Sequence, residues 1–245
     1  MSAPRFHCPA NLALGAIVEL PEVAAHHAAR VLRMKAGDAV TLFNGDGHNY
    51  GGEIIRLSKS EVVVKIDSRV WVERESPLTI TLAQAISSGD RMDYTLQKAV
   101  ELGINAIQPI AAERSVVKLS GDRADKRREH WQNVVISACE QCGRASVPEV
   151  APILSLTDWL GKNQNFGLKL MLSPEADHTL HTLTKPEDSM CLLIGCEGGL
   201  SPQEQVAAAS CGFVSTRLGP RVLRTETAAV AALSAIQTLW GDFLR

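Results

Sequence analysis

Aromatic residues are scarce in this 245-residue sequence, at 4% of the chain. That weighs against stacking as the main way of holding a ligand. Net charge is also nearly absent, with 25 Lys and Arg against 27 Asp and Glu, a balance of -2. No segment is strongly basic, so overall charge gives no sign of a nucleic-acid partner. Long apolar runs are missing too. The stretches at 190–194 and 228–239 are too short, or too interrupted by Ser, Gln and Thr, to cross a bilayer. The first residues, Met1 to His7, lack a basic segment followed by an apolar one. The expectation is therefore no secretory leader and a cytoplasmic location.

Six cysteines are present: Cys8, Cys139, Cys142, Cys191, Cys196 and Cys211. Cys139 and Cys142 form one Cys-x-x-Cys, and no second pair stands at zinc-site spacing. A redox pair belongs at a helix start after a strand. This pair ends an apolar helical run instead. Buried, reduced thiols and no metal are expected.

The remaining composition is that of an ordinary folded chain, 45% hydrophobic and 21% charged, with a mean hydropathy of +0.01. The length fits one large domain or two smaller ones, at roughly 100–200 residues each. Residues 1–72 turn often and alternate, with strands expected at 39–43, 50–57 and 61–66 and one helix at 23–32. That pattern suggests a small β-barrel or sandwich. The polar, proline-bearing stretch 73–77 is the candidate linker. From there to 245, strands alternate with helices. Strands are expected at 78–85, 106–110, 168–172, 190–194 and 213–216, and helices at 92–102, 122–142, 156–162, 203–210 and 225–239. This alternation predicts an α/β domain with a parallel sheet covered on both faces.

Ligands in such sheets bind in loops beyond the carboxyl ends of strands. Three loops qualify. The first follows Leu172 and starts at Ser173. The second reads Gly195-Cys196-Glu197-Gly198-Gly199-Leu200-Ser201-Pro202. Its glycines permit sharp turns and close ligand approach. Ser201, Pro202 and Glu204 carry the signature of a capped helix start. The spacing matches neither a dinucleotide fingerprint nor a phosphate loop. A plain strand-to-helix turn is the structural alternative. The third loop reads Leu218-Gly219-Pro220-Arg221-Val222-Leu223-Arg224-Thr225-Glu226-Thr227. Thr225 is positioned to cap the last helix. Two arginines before a helix N-terminus oppose its dipole, which points to ligand or polyanion contact.

Segments 195–201 and 218–227 together resemble the knot region of SPOUT-type methyltransferases. The wording of 218–228 is similar to the RsmE branch, the ribosomal RNA small subunit uridine-N3 methyltransferases. Supporting stretches are Arg5-Phe6-His7, residues 26–33, residues 98–103, Glu113-Arg114-Ser115 and residues 140–144. Cys196 stands where the family usually has Pro, and Leu200 where it often has Phe. The resemblance implies a PUA-like RNA-binding barrel at 1–72. It implies a SPOUT α/β domain at 73–245 with a deep trefoil knot, S-adenosylmethionine binding and homodimerisation. The cofactor contacts it implies are Leu172, Ser173, Gly195, Glu197, Gly198, Gly199, Leu218, Gly219, Arg221, Val222, Leu223 and Thr225.

The acceptor implied is N3 of a uridine in the decoding region of 16S ribosomal RNA within the small subunit. That nitrogen is a poor nucleophile while protonated. The enzyme must therefore help remove the proton, as a carboxylate can, or stabilise the uracil anion, as a guanidinium can. Glu101, Glu197, Arg144 and Arg224 are the catalytic candidates. Each also has a structural alternative, as a surface charge, a loop-amide acceptor or a phosphate contact. RNA contacts are expected from Arg5, His26, Arg30 and Arg33, with Arg30 and Arg33 on one helical face, and from Arg91, Lys98 and Arg114. The competing readings are methylation of another RNA such as transfer RNA, and a non-catalytic ribosome-assembly factor.

Overall fold

A computed structural model describes residues 3–58, 61–162 and 165–244. Met1 and Ser2, part of the segment inspected for a leader, lie outside the described residues. Two compact units result. One comprises Met1–Glu75 with Cys139–Val147, and the other Ser76–Ala138 with Pro148–Arg245.

The first unit is built on a five-stranded sheet of order β1-β3-β4-β5-β2. Its strands are β1 (Arg5–His7), β2 (Ile17–Glu19), β3 (Ala39–Phe43), β4 (His48–Leu57) and β5 (Val62–Trp71). β1 pairs with β3 in parallel, and the other pairings are antiparallel. Alternation along these strands sends Phe6, Val40, Leu42, Tyr50, Ile54, Val62, Val64 and Ile66 into one core. The hydrogen-bonded ladder runs from β1 to β2, and the Cys8 thiol, directly after β1, donates to the Glu19 carbonyl of β2 at 3.8 Å, so the two end strands of the sheet curl toward one another.

The helix expected at 23–32 is wound in two ways. Glu22–His26 is α-helical (α1), and His27–Val31 is π-helical. Ala24, Ala25 and Ala28 join the sheet core. Leu32 N–H donates to the His27 carbonyl at 3.0 Å, the wider π closure. Arg33 then takes a left-handed φ of +54°. This turn lets Met34 N–H reach the Ala28 carbonyl at 3.0 Å while its side chain is buried. Arg30 and Arg33 therefore do not share a helical face. Arg30 is in the π turn, and Arg33 lies beyond the helix.

The division falls at Glu75, inside the stretch 73–77 expected as the linker, and the segment Cys139–Val147 belongs to the first unit. Hydrogen bonds explain the recruitment. Arg144 donates to Glu75 through Nε at 3.1 Å and again through Nη2. Arg5 Nη2 donates to the Arg144 carbonyl at 3.0 Å, and His7 N–H to Glu140 Oε1 at 2.9 Å.

The second unit holds an eight-stranded, wholly parallel sheet. Its strands are β6 (Thr79–Ala85), β7 (Ala106–Ala111), β8 (Glu149–Val150), β9 (Leu154–Ser155), β10 (Leu168–Leu172), β11 (His178–Thr179), β12 (Ser189–Ile194) and β13 (Val214–Arg217). The order is β11-β13-β10-β12-β6-β7-β8, with β9 also on β7. The central strands β6 and β12 are buried along almost their whole length, β12 as an apolar run from Met190 to Ile194 and β6 with Gln84 buried among its apolar residues. Helices α2 (Arg91–Glu101), α3 (Asp122–Cys142), α4 (Leu156–Leu160), α5 (Pro202–Ser210) and α6 (Thr225–Leu239) complete the fold. Ser201 accepts from Glu204 N–H at 3.2 Å while Glu204 accepts from Ser201 N–H at 2.8 Å, the expected capping box of α5. Helix α6 is anchored by Gln237, which accepts from the Ser76 hydroxyl at 2.9 Å and donates to the Leu102 carbonyl at 2.8 Å. Among the described residues, no helix is long and apolar enough to cross a membrane.

Candidate active site

The carboxyl ends of β10, β12 and β13 open onto a cavity of about 660 Å³. This is the location expected for ligands of a parallel sheet. All three loops singled out in the sequence reach it. Leu172 and Ser173 come from the first, Gly195, Glu197, Gly198 and Gly199 from the second, and Leu218, Val222, Leu223, Arg224 and Thr225 from the third. Gly219 and Arg221 are exposed and lie outside the lining.

The glycine loop is shaped by close backbone approach. A Cβ on Gly195 would sit 2.9 Å from the Gly199 backbone and 3.0 Å from Leu200 N. Gly199 itself has a φ of +68°. Cys196 is buried, its thiol 3.5 Å from the Gly199 carbonyl.

Thr225 does not cap α6. The N-cap position is Arg224, without a side-chain cap bond, and Thr225 is the first helical residue. Its buried hydroxyl donates to the Gly195 carbonyl at 2.7 Å and accepts from Gln84 Nε2 at 3.0 Å. The second and third loops are thereby tied together through the end of β6.

Electrostatics centre on Arg91, at the start of α2. Its Nη1 donates to Glu197 Oε1 at 2.8 Å and to the Ser88 hydroxyl at 2.9 Å. Glu197 Oε1 also accepts from the Ser88 N–H at 2.9 Å and its hydroxyl at 2.8 Å. Desolvation pushes the Glu197 carboxyl upward. Hydrogen bonds from Ser88, its own backbone and Arg91 outweigh that and hold it at about 2. Glu226 Oε1 lies 4.0 Å from Arg91 Nε, and its buried Oε2 has no hydrogen-bond partner. Arg114 Nη1 donates to the Gly198 carbonyl at 3.0 Å. Arg91, Arg114 and Glu226 all line the cavity.

Two of the four catalytic candidates, Glu197 and Arg224, are in this lining, whereas Glu101 and Arg144 are not. Glu101 pairs with Lys98 at 2.7 Å. Arg144 is 4% exposed and engaged with Glu75 in the first unit. Arg5, an expected RNA contact, donates to Asn49 at 2.8 Å and lies over the Phe43 ring. His27 packs edge-on against Phe6, while His26, Arg30 and Arg33 are exposed. The sequence placed Arg91 and Arg114 on the RNA and gave Glu226 no part in the site. The signal available for Glu226 was its place between two threonines at the start of a helix that follows the arginine loop.

The thiols of Cys139 and Cys142 are free. Burial pushes Cys139 up to about 12, which leaves it a packing residue. Among the described residues, no three His, Cys, Asp or Glu side chains are grouped as metal ligands.

Comparison with known proteins agrees with this layout. Residues 74–237 match a family of RNA methyltransferase domains, and residues 20–67 an RNA methyltransferase PUA domain. Ribosomal RNA small subunit methyltransferase E of Buchnera aphidicola subsp. Acyrthosiphon pisum (strain APS) is 34% identical, over 98% of this chain and 95% of its own. The Bacillus subtilis (strain 168) protein of that name is 34% identical over 86% of each chain. Among solved structures, a Legionella pneumophila methyltransferase with bound SAM superposes with a TM-score of 0.95. It is 42% identical and covers 99% of this chain and 100% of its own. Ribosomal RNA small subunit methyltransferase E from Neisseria gonorrhoeae, bound to S-adenosyl methionine, has a TM-score of 0.92 and 45% identity, covering 99% of this chain and 100% of its own. The first unit is thus PUA-like and the second a methyltransferase domain, and the chain belongs to the ribosomal RNA small subunit methyltransferase E family.

Proposed function

We propose that this chain transfers a methyl group from S-adenosylmethionine to N3 of a uridine in 16S ribosomal RNA, in the decoding region of the small subunit. The observation that carries this reading is the cavity at the ends of β10, β12 and β13, lined by the three motif loops. Two relatives above 40% identity hold S-adenosylmethionine in their structures. The residues present fit such a ligand. Leu172, Ile194, Leu218, Val222 and Leu223 offer apolar walls, and Gly195 lets the backbone close in. Bound S-adenosylmethionine supplies an electrophilic methyl group on a sulfonium.

The protein's own side chains divide the remaining work. Arg91, Arg114 and Arg224 bring guanidinium groups to the lining, where they stabilise negative charge as the uracil loses its N3 proton. Glu197, held at about 2, stays ionised and fixes Arg91. A proton acceptor works best with a pKa near the working pH, so Glu197 positions Arg91 and does not accept the proton. Glu226, with one unpartnered carboxylate oxygen, is the proton acceptor. The Watson–Crick edge of the uridine must be unpaired to reach these groups.

The first unit grips RNA through the exposed His26, Arg30 and Arg33. The enzyme acts in the cytoplasm as a homodimer, with α6 at the subunit interface. The chain around β10, β12 and β13 is threaded as a trefoil knot. The strand order supports that threading: β12 enters between β10 and β6, and β13 then joins the far side of β10. The test is calorimetric titration with S-adenosylmethionine, followed by methyl transfer to small subunits lacking the modification. Binding with transfer supports the proposal, and a chain that binds no S-adenosylmethionine contradicts it.

A further inference from the structure

The chain has four tryptophans. Trp131 and Trp159 are buried and Trp240 is half-buried, whereas Trp71, at the end of β5, is 59% exposed. An exposed indole offers a large apolar face with a polar edge, the kind of surface enriched where a ligand or partner binds. Nor is this ring a loose one. A Cβ on Gly47 would lie 2.6 Å from its six-membered ring, so one indole face is seated on a glycine whose φ is +86°. His48 meets the indole edge-on, with centroids 5.0 Å apart. In register, Trp71 pairs with His48 across β4 and β5.

The neighbourhood is basic on one side. Arg69, two residues back along β5, lies over the Tyr50 ring with its guanidinium carbon 5.8 Å from the centroid. Its Nη2 is 3.4 Å from His48 Nδ1. Among the described residues, no carboxylate lies within ion-pair distance of Arg69. The nearby Asp46 carboxylate is already engaged, accepting from the Tyr50 hydroxyl at 2.6 Å and from the His48 N–H at 2.9 Å.

We propose that Trp71 is a stacking platform for one unpaired RNA base, with Arg69 taking the adjacent phosphate. The proposal rests on the RNA methyltransferase reading above and adds a contact to it. A fixed aromatic face beside a cation without a carboxylate partner is the combination that single-stranded RNA uses. An apolar protein partner would gain nothing from Arg69. Because stacking tolerates any base, the platform contributes affinity and register, and the cavity contributes specificity. The ring is held before binding, so little conformational freedom is lost.

The test measures affinity of the full-length protein for a single-stranded oligouridylate and for 16S RNA at fixed salt. The variants are Trp71→Ala, Trp71→Tyr and Arg69→Gln, with S-adenosylmethionine affinity and oligomeric state measured alongside. Trp71→Ala is expected to weaken RNA binding by about 5- to 150-fold, the range for one stacked base. Trp71→Tyr should restore most of that, and Arg69→Gln should lower the salt dependence. S-adenosylmethionine affinity and oligomeric state should not change. Wild-type RNA affinity in Trp71→Ala overturns the platform and leaves the methyltransferase reading intact. Loss of oligomerisation in Trp71→Ala also overturns it, by showing that a second copy covers the ring. Wild-type protein that binds S-adenosylmethionine but no RNA overturns the RNA reading itself.

Discussion

The Thr225 hydroxyl donates to the Gly195 carbonyl across 30 residues of sequence, at 2.7 Å. This bond joins the first residue of α6 to the first glycine after β12, so two walls of the cavity share one buried hydrogen-bonded group. Thr225→Val preserves shape but leaves the Gly195 carbonyl and Gln84 Nε2 without this partner. The expected cost is about 1–3 kcal/mol in chemical denaturation. Weaker binding of S-adenosylmethionine in calorimetry should accompany it. Thr225→Ser should retain both properties.

The two glycines Gly195 and Gly219 should respond differently to alanine. At Gly195 the added Cβ meets backbone atoms at 2.9 Å that cannot move aside. Overpacking of this kind costs about 1–3 kcal/mol, and it falls on the cavity wall, so S-adenosylmethionine affinity should drop at least about tenfold (1.4 kcal/mol). Gly219 has a φ of +79° and open space around it. There, alanine should cost only about 1–2 kcal/mol of backbone strain and leave cofactor affinity near wild type. Paired denaturation and calorimetry of the two variants check this.

Glu197 and Glu226 should separate by what their substitution changes. The Glu197 carboxyl lies at about 2 in the folded chain against an ordinary 4.5. Folding therefore favours its ionised form. That stabilisation is complete above about pH 4.5 and is lost as pH falls toward 2. Glu197→Gln should flatten the acid side of the stability curve between those values and weaken activity by loosening Arg91. It should leave the neutral part of the pH–rate profile unchanged in shape. Glu226→Gln should lower kcat by about 100-fold or more while S-adenosylmethionine affinity holds, as removal of a proton acceptor does.

Arg144 is expected to act on the fold. Its guanidinium forks onto Glu75, and its carbonyl accepts from Arg5. Arg144→Ala should cost about 1.5–3 kcal/mol, the range for hydrogen bonds to charged groups, seen as earlier unfolding in denaturant. Affinity for S-adenosylmethionine should stay at the wild-type value. A selective loss of kcat with normal stability would restore Arg144 to the chemistry.

The parallel sheet was legible because its strands are short apolar runs separated by helical periods. The strand 168–172 and the helices 122–142 and 225–239 match the sequence reading residue for residue. The three loops were legible because glycine, proline and arginine cluster directly after strands. What escaped depends on long-range contact. The bond between Arg91 and Glu197 spans 106 residues, and neither residue's local pattern distinguishes it from a surface charge. The three-residue strands Arg5–His7 and Ile17–Glu19 are too short to show alternation. The π-helical turn and left-handed Arg33 arise from burial of Met34, a tertiary demand that helix periodicity does not carry. The same holds for Cys139–Val147, whose place in the first unit is set by hydrogen bonds to Glu75, Arg5 and His7.

The most direct test is mass mapping of 16S RNA from small subunits of a strain lacking this gene, before and after incubation with the purified chain and S-adenosylmethionine. The expected result is the gain of one methyl group, on N3 of a single uridine of the decoding region, abolished by Gly195→Ala. An unchanged RNA mass, or a methyl group placed on a ribose or another base, contradicts the proposed function.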